Sequence, residues 1–277
     1  MKIRYIEVHD LGDPELVLYH SLNEAQLKHY FEPVREGLFV AETPVVIERA
    51  LAAGYVPYSF LAEPRYMEWL DRLCPVAGLD DELPAYIAEE DVLRNITGYK
   101  LTRGALCAMY RKPPLKLDDI TDCTSRIAVL ENVMNPTNAG AIFRSAAALG
   151  IGAVIMTGAS TDPMYRRCVR VSMGTVFSVP WIRLENDGTA AGIAGRLKEK
   201  GFFCAAMALK DDSVTPDDPL LLKNDKIAVF LGTEEAGLGD ETIDACDATV
   251  MIPMQKGVDS LNVSVAAGIA FWSIRER

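Results

Sequence analysis

The chain has 277 residues, 49% of them hydrophobic and 24% charged, ordinary globular values for a length that can bury one large or two modest cores. A formal net charge of −11 counts against a nucleic-acid binder of the usual basic kind, so any such role has to rest on a local basic surface. No apolar run approaches the roughly 18 residues of a membrane span, and the N-terminal MKIRYIEVHDLGD lacks an apolar segment with a cleavage site, so a cytoplasmic protein with no membrane contact is expected.

Residues 1–112 alternate between helical and strand patterns. Helices are expected at Asn23–Glu32, Pro44–Ala53, Pro64–Leu73 and Glu89–Ile96, and strands at Leu38–Ala41, Val56–Ala62, Ala85–Ala88 and Ala105–Tyr110. Pro44 and Pro64 suit first-turn positions and Gly54 a helix stop. The histidines, His9, His20 and His29, all fall in this part, and the cysteines at 74, 107, 123, 168, 204 and 246 form no C-x-x-C pair. No metal site is therefore expected, and the thiols read as buried and reduced. The stretch RKPPLKLDDITDCTS that follows is one neither helix nor strand would choose. The expected organisation is a domain at 1–112, a linker at 113–125 and a second domain at 126–277.

From Arg126 the pattern becomes regular. Strands at Ile127–Leu130, Ala153–Met156, Val176–Ile182, Phe202–Ala208, Ile227–Leu231 and Thr249–Ile252 alternate with helices near Ala139–Leu149, Met164–Val171, Thr189–Glu199, Asp240–Ala245 and Leu261–Arg275. This predicts an α/β fold with a mostly parallel sheet, whose ligands bind beyond the carboxyl ends of the strands.

Three post-strand loops hold the chemistry. In ENVMNPTNAGAIFR, residues 131–144, Asn138 starts a helix and Arg144 follows two turns on as the only charge between Glu131 and Asp162. A guanidinium buried there would need a partner, structural or ligand. In LGTEEAGLG, residues 231–239, glycines let the backbone approach a ligand, and Glu234 either caps the next helix or binds a donor. The loop is neither a dinucleotide fingerprint nor a P-loop. In IPMQKGVDSLNVS, residues 252–264, Ser260, Asn262 and Ser264 open an apolar helix, as caps or as ligand-holding groups.

Taken together, N-x-G-x-x-x-R, then L-G-x-E-x-x-G-L, then I-P-M followed by S-L-N-V-S-V-A-A-G-I strongly resemble the SpoU (TrmH-like) family of S-adenosylmethionine-dependent RNA 2'-O-ribose methyltransferases, over residues 125–275. DPMYRRCVRVSMGTVF, residues 162–177, also looks like the family's segment after the first motif. FVAETPVVIERALAAG, residues 39–54, looks like the L30e-like substrate-binding domain of some members, with Thr43-Pro44 where a glycine is usual.

The resemblance implies a deep trefoil knot of the SPOUT class, a homodimer formed through the C-terminal domain, and S-adenosylmethionine held by the backbones around Gly232, Ile252 and Leu261 with Thr233 and Met254 beside them. It implies that Arg144 activates the target hydroxyl while Asn138, Ser260 and Asn262 hold it, the cofactor and the ribose-phosphate. An arginine is a poor formal base, its pKa exceeding about 12, so Arg144 is better read as stabilising the developing alkoxide and clamping the adjacent phosphate. Glu234 is read as ordering its loop rather than as the base. Arg166, Arg167 and Arg170 form the densest basic group, either a phosphate-binding edge for RNA or a solvated helix with surface salt bridges. Arg94, Lys100 and Arg103 stand equally between RNA contact and plain surface charge. The substrate is expected to be ribosomal rather than transfer RNA. Two alternatives remain: a catalytically inactive, cofactor-binding RNA-interaction protein, and a nucleotide-dependent oxidoreductase, which the missing dinucleotide fingerprint disfavours.

Overall fold

The structure, a computed structural model, describes residues 2–10, 14–34, 36–73, 82–97, 104–184, 188–233, 236–258 and 260–276. In chain order the strands and α-helices are β1 (Lys2–Glu7), α1 (Val17–His20), α2 (Glu24–Lys28), β2 (Leu38–Glu42), α3 (Pro44–Ala52), β3 (Pro57–Ala62), α4 (Met67–Leu73), β4 (Glu82–Ile87), α5 (Glu90–Thr97), β5 (Ala105–Tyr110), α6 (Leu117–Thr121) and β6 (Arg126–Leu130). They continue as α7 (Pro136–Leu149), β7 (Ala153–Met156), α8 (Arg166–Val171), β8 (Trp181–Arg183), α9 (Ala190–Glu199), β9 (Phe203–Met207), α10 (Pro219–Leu222), β10 (Ile227–Leu231), α11 (Asp240–Ala245), β11 (Ala248–Val250) and α12 (Val263–Ile274). The chain divides into two compact units, residues 1–113 with 164–177, and residues 114–163 with 178–277. Residues 164–177, which the sequence pattern assigns to the second domain, group with the first unit.

The first unit is built on a mixed sheet of order β1-β4-β3-β5-β2, in which β1, β4 and β3 run parallel while β5 is antiparallel to both β3 and β2. β1 has no counterpart among the expected strands; its KIRYIE sequence is charged, and its strand state comes from full-length pairing with β4. Leu38, Val40, Leu61, Tyr86, Leu106 and Ala108 pack with Leu16, Leu18, Tyr19 and Leu27 into one core. α8 belongs to this unit and packs against β2.

The second unit carries an all-parallel sheet of order β11-β9-β10-β6-β7-β8. Its central strands, IAVFL in β10 and RIAVL in β6, are near-continuous apolar runs because helices cover both faces of a parallel sheet. One face packs Ile127, Val129, Ile155 and Phe230 against Ile193 and Leu197 of α9. α12 packs against α7 and β10. α7 begins with Asn135, whose side chain accepts a hydrogen bond from Thr137 N–H, then Pro136 at the first helical position, and ends at Gly150 with φ of 76°. The strand expected at Val176–Ile182 divides: Thr175–Phe177 is a 3₁₀ turn, and pairing with β7 starts only at Trp181.

Among the described residues no helix is long and apolar enough to cross a membrane, and no group of three or more His, Cys, Asp or Glu side chains could hold a metal ion. Cys107, Cys168 and Cys204 are buried and Cys246 half-buried, all outside disulfides, whereas Cys123 is exposed because the segment before β6 lies on the surface.

Candidate functional site

The carboxyl ends of β9, β10 and β11 open into a cleft of about 520 Å³ in the second unit. Four stretches of chain wall it. Leu231, Gly232 and Thr233 leave β10, with Ala236, Gly237 and Leu238 folding back over them. Val250, Met251, Ile252 and Met254 leave β11; Ser260, Leu261, Val263 and Ala266 form the entry to α12; Met207, Ala208, Leu209 and Lys210 leave β9.

The β10 loop owes its shape to glycine. Thr233 and Gly237 exchange two backbone hydrogen bonds of 3.1 Å, and Ala236 N–H donates to Thr233 Oγ1 at 3.0 Å. A Cβ on Gly232 would stand 2.1 Å from the Gly237 carbonyl, so no side chain fits, and Gly237 itself sits at φ of 68°. The loop's far end is tied across the sheet: Glu131, just past β6, accepts from Gly239 N–H at 3.2 Å and from the Thr242 hydroxyl at 3.1 Å. Residues after β11 are held by Val214, whose N–H donates to Thr249 O and whose carbonyl accepts from Met251 N–H.

Asn262 caps α12 and reaches α7. Its Oδ1 accepts from the Ser264 N–H and hydroxyl at 3.0 and 2.6 Å, while its Nδ2 donates to Asn138 Oδ1 at 3.1 Å. Asn138 is buried, so this amide pair satisfies polarity that would otherwise be costly inside the fold. The helix starts at Val263, after Asn262, and α7 starts at Pro136, two residues before the expected Asn138.

Of the residues singled out from the sequence, Gly232, Thr233, Ile252, Met254, Ser260 and Leu261 converge on this cleft, and Asn138 and Asn262 hydrogen-bond to each other at the start of α12 without lining it. Arg144 stands apart from the amide pair. It is exposed, no hydrogen bond or ion pair reaches it among the described residues, and its place six residues after Asn138 turns it about 120° away and roughly 9 Å along α7. The burial that would have demanded a partner is absent, since the apolar residues around Arg144 in sequence face inward on a helix that turns it outward.

Glu234 lies outside the described residues, as do Lys100 and Arg103. Arg94 pairs with Glu90 one turn back, at 3.0 Å. Arg166 and Arg170 lie in the first unit, where Arg166 Nε is 3.1 Å and Arg170 3.7 Å from the carboxylate of Glu42, a side chain only 6% exposed. Arg166 N–H also donates to Glu24 Oε1 at 2.8 Å. These two arginines therefore balance a buried carboxylate, and Arg167 is the exposed member of the three. Lys210 and Asp240, paired at 3.3 Å, line the cleft without having been singled out, as do Met207, Ala208 and Leu209. The signal for Met207–Lys210 was their position at the carboxyl end of β9, the rule that places ligands in parallel sheets, whereas Asp240 opens α11.

Apolar side chains, Met207, Leu209, Ile252, Met254 and Leu261 among them, line most of the cleft, small residues such as Gly232, Ala236 and Gly237 stand between them, and Lys210 and Asp240 add one exposed ion pair. Such a surface suits a ligand with an apolar body and a hydrogen-bonding heterocyclic edge, read by backbone N–H and C=O groups.

Comparison with known proteins gives the same assignment from another direction. A family model described as the SpoU rRNA Methylase family matches residues 125–272. A Mycobacterium tuberculosis protein described as an uncharacterized tRNA/rRNA methyltransferase is 35% identical over 96% of this chain and 90% of its own length. The 23S rRNA (guanosine-2'-O-)-methyltransferase RlmB of Acinetobacter baylyi is 32% identical over 67% of this chain and 75% of its own. Among solved structures, an AdoMet-bound rRNA methyltransferase from Sinorhizobium meliloti superposes with a TM-score of 0.76 at 24% identity, over 98% of this chain and 97% of that one. The SpoU methyltransferase AviRb of Streptomyces viridochromogenes, also with AdoMet, has a TM-score of 0.75 at 21% identity, over 95% and 97%. These two likenesses concern the fold.

Proposed function

This chain belongs to the SpoU rRNA methylase family, and from that premise we propose that it transfers a methyl group from S-adenosylmethionine to a ribose 2'-hydroxyl of RNA, ribosomal RNA before transfer RNA. The observation that carries the reading is the convergence of the β10 loop, the β11 exit and the entry of α12 on one cleft at the carboxyl ends of a parallel sheet. The preference for ribosomal RNA rests on the relative from Acinetobacter baylyi, a 23S rRNA enzyme. The fit to the cofactor is a matter of shape and donors: Gly232 admits close backbone approach, and Ile252, Met254 and Leu261 offer apolar contact beside backbone polar groups.

When bound, S-adenosylmethionine supplies a methyl group already activated on a sulfonium. What remains for the protein is to hold the attacking hydroxyl in line and ease the loss of its proton. We assign Gly232, Thr233, Ile252, Met254 and Leu261 to cofactor binding. Ser260 lines the cleft where a hydroxyl can orient the incoming ribose, and Asn138 braces Asn262 so that the α12 entry keeps its position. Arg144, exposed and without a structural partner among the described residues, is available to stabilise the developing alkoxide and clamp the neighbouring phosphate. Arg167 offers an RNA phosphate contact from the first unit, to which we assign substrate gripping.

The same reading includes the trefoil knot, an L30e-like first domain, a cytoplasmic location and a homodimer through the second unit. The dimer is supported by α12, which exposes Val265, Ile269 and Trp272 at i, i+4 and i+7, with Trp272 57% exposed.

The test is transfer of label from methyl-labelled S-adenosylmethionine to ribosomal RNA from cells lacking the gene, followed by mapping of 2'-O-methyl sites. Arg144→Ala is expected to lower the rate on the order of 10²–10³-fold while calorimetry finds cofactor affinity unchanged. Cofactor binding with no transfer to any RNA would favour the inactive RNA-interaction protein instead.

A further inference from the structure

Holding adenosine leaves one feature of the second unit's cleft unused. Among the described residues that line it, Lys210 and Asp240 are the only ionisable side chains, and they stand together, Lys210 Nζ donating to Asp240 Oδ1 at 3.3 Å. Both are exposed, and an exposed pair of this kind contributes little to folding. Their pairing does not use them up. An ammonium has three donors and a carboxylate two oxygens, so the other donors of Lys210 Nζ and the Oδ2 of Asp240 have no partner among the described residues. The backbone beneath each charge is anchored. Lys210 N–H donates to Ser213 Oγ at 3.1 Å, Ser213 N–H returns a bond of 3.1 Å to the Lys210 carbonyl, and Val214 is bonded in turn to Thr249 and Met251. Asp240 follows Gly239, whose N–H donates to Glu131 at 3.2 Å.

We propose that Lys210 and Asp240 read the amino-acid head of S-adenosylmethionine, Lys210 binding its α-carboxylate and Asp240 its α-ammonium. The inference rests on the cofactor reading given above. Backbone groups around Gly232, Ile252 and Leu261 suit an adenine edge, and adenine is common to many nucleotides, so what lies beyond the ribose has to be told apart by other groups. An α-amino acid is a zwitterion with both charges on one carbon. A neighbouring lysine–aspartate pair is its complement: the head completes a ring of alternating charges in which each protein group gains a partner and keeps the one it has. A nucleoside triphosphate brings only negative charge to the same pair, and Asp240 then repels what Lys210 attracts.

The experiment is calorimetry of the full chain with S-adenosylhomocysteine and with 5'-methylthioadenosine, which keeps the adenosine and lacks the head. The native protein is compared with Lys210→Met, Asp240→Asn, both together, and Lys210→Arg. The native chain is expected to bind S-adenosylhomocysteine at least about fivefold more tightly than 5'-methylthioadenosine, the worth of two charge-assisted contacts at an exposed site. Each single removal is expected to lower that preference and the double variant to abolish it, whereas Lys210→Arg keeps it. Affinity for 5'-methylthioadenosine is expected to stay unchanged throughout, which shows the cleft intact. Equal native affinity for the two ligands, or a preference that survives the double variant, overturns the proposal. So does loss of affinity for both ligands alike, because the pair then serves the ribose or the shape of the cleft. Methyl transfer to ribosomal RNA is followed on the same samples. Transfer by a native chain without the preference rejects the head-group assignment and keeps the enzyme, whereas the preference without transfer rejects the enzyme and keeps the assignment. Binding of neither ligand rejects the cofactor reading and the assignment with it.

Discussion

Gly232 shows how little freedom a ligand-facing residue has. Its missing side chain is what lets Thr233 and Gly237 pair across the β10 loop, since a Cβ there would overlap the Gly237 carbonyl and the Leu238 nitrogen. Gly232→Ala is therefore expected to cost about 1–3 kcal/mol in urea unfolding, as overpacking does, and to weaken S-adenosylmethionine binding in calorimetry because the loop must open to relieve the overlap. Cysteine chemistry makes a second prediction at this scale. Burial, with Asp247 next for Cys204 and Cys204 next for Cys246, pushes both thiols from an ordinary 9.0 up to about 12. Below pH 9 both the folded and unfolded chains hold these protons, so their contribution to stability is fully present. Between pH 9 and about 12 the unfolded chain releases them and the folded chain does not, so stability falls as pH rises. Urea midpoints at rising pH should drop more steeply in the native protein than in the Cys204→Ala, Cys246→Ala double variant.

The element that joins capping to chemistry is the start of α12. Asn262 serves two partners at once, Ser264 N–H through its oxygen and Asn138 through its nitrogen, and these functions can be separated. Asn262→Ser keeps a good N-cap but is too short to hold Asn138; Asn262→Ala loses both. Chemical denaturation should find the alanine variant less stable than the serine variant by about 0.5–2 kcal/mol, the usual worth of a cap. Both should be impaired in methyl transfer, because both release Asn138. If the serine variant turns over normally, the amide bridge is structural alone. Glu131 plays a comparable part for the β10 loop, joining the exit of β6 to Gly239 and to Thr242 of α11. Its sequence neighbours do not announce this, because the two partners lie 108 and 111 positions away.

At the scale of the molecule, α12 has one face buried against α7 and an opposite face on which Val265, Ile269 and Trp272 remain open to solvent. The guanidinium of Arg275 lies 3.4 Å over the Trp272 ring and shields one side of it in the isolated chain. Trp272→Glu is expected to convert a dimer to a monomer in analytical ultracentrifugation, since a buried, unpaired carboxylate at an interface costs several kcal/mol. A native protein that sediments as a monomer at micromolar concentration would remove the dimer from the proposed function.

The parallel α/β architecture of the second unit and the three motif-bearing loops were legible in the sequence, because apolar strands buried on both faces and glycine- or asparagine-marked turns are local signals. The first unit was less so: β1 is a charged segment whose strand state comes from its partner β4, and no local pattern carries that. The chain by itself determined which residue types stand after each strand, and through them the resemblance to one methyltransferase family. Only the tertiary structure decided that Arg144 faces outward on α7, that Arg166 and Arg170 answer the buried charge of Glu42, and that Met207–Lys210 join the cleft wall. The reason is common to all three: direction on a helix face, the presence of a buried opposite charge and proximity across a sheet are set by packing between segments far apart in sequence, which no stretch of residues encodes alone.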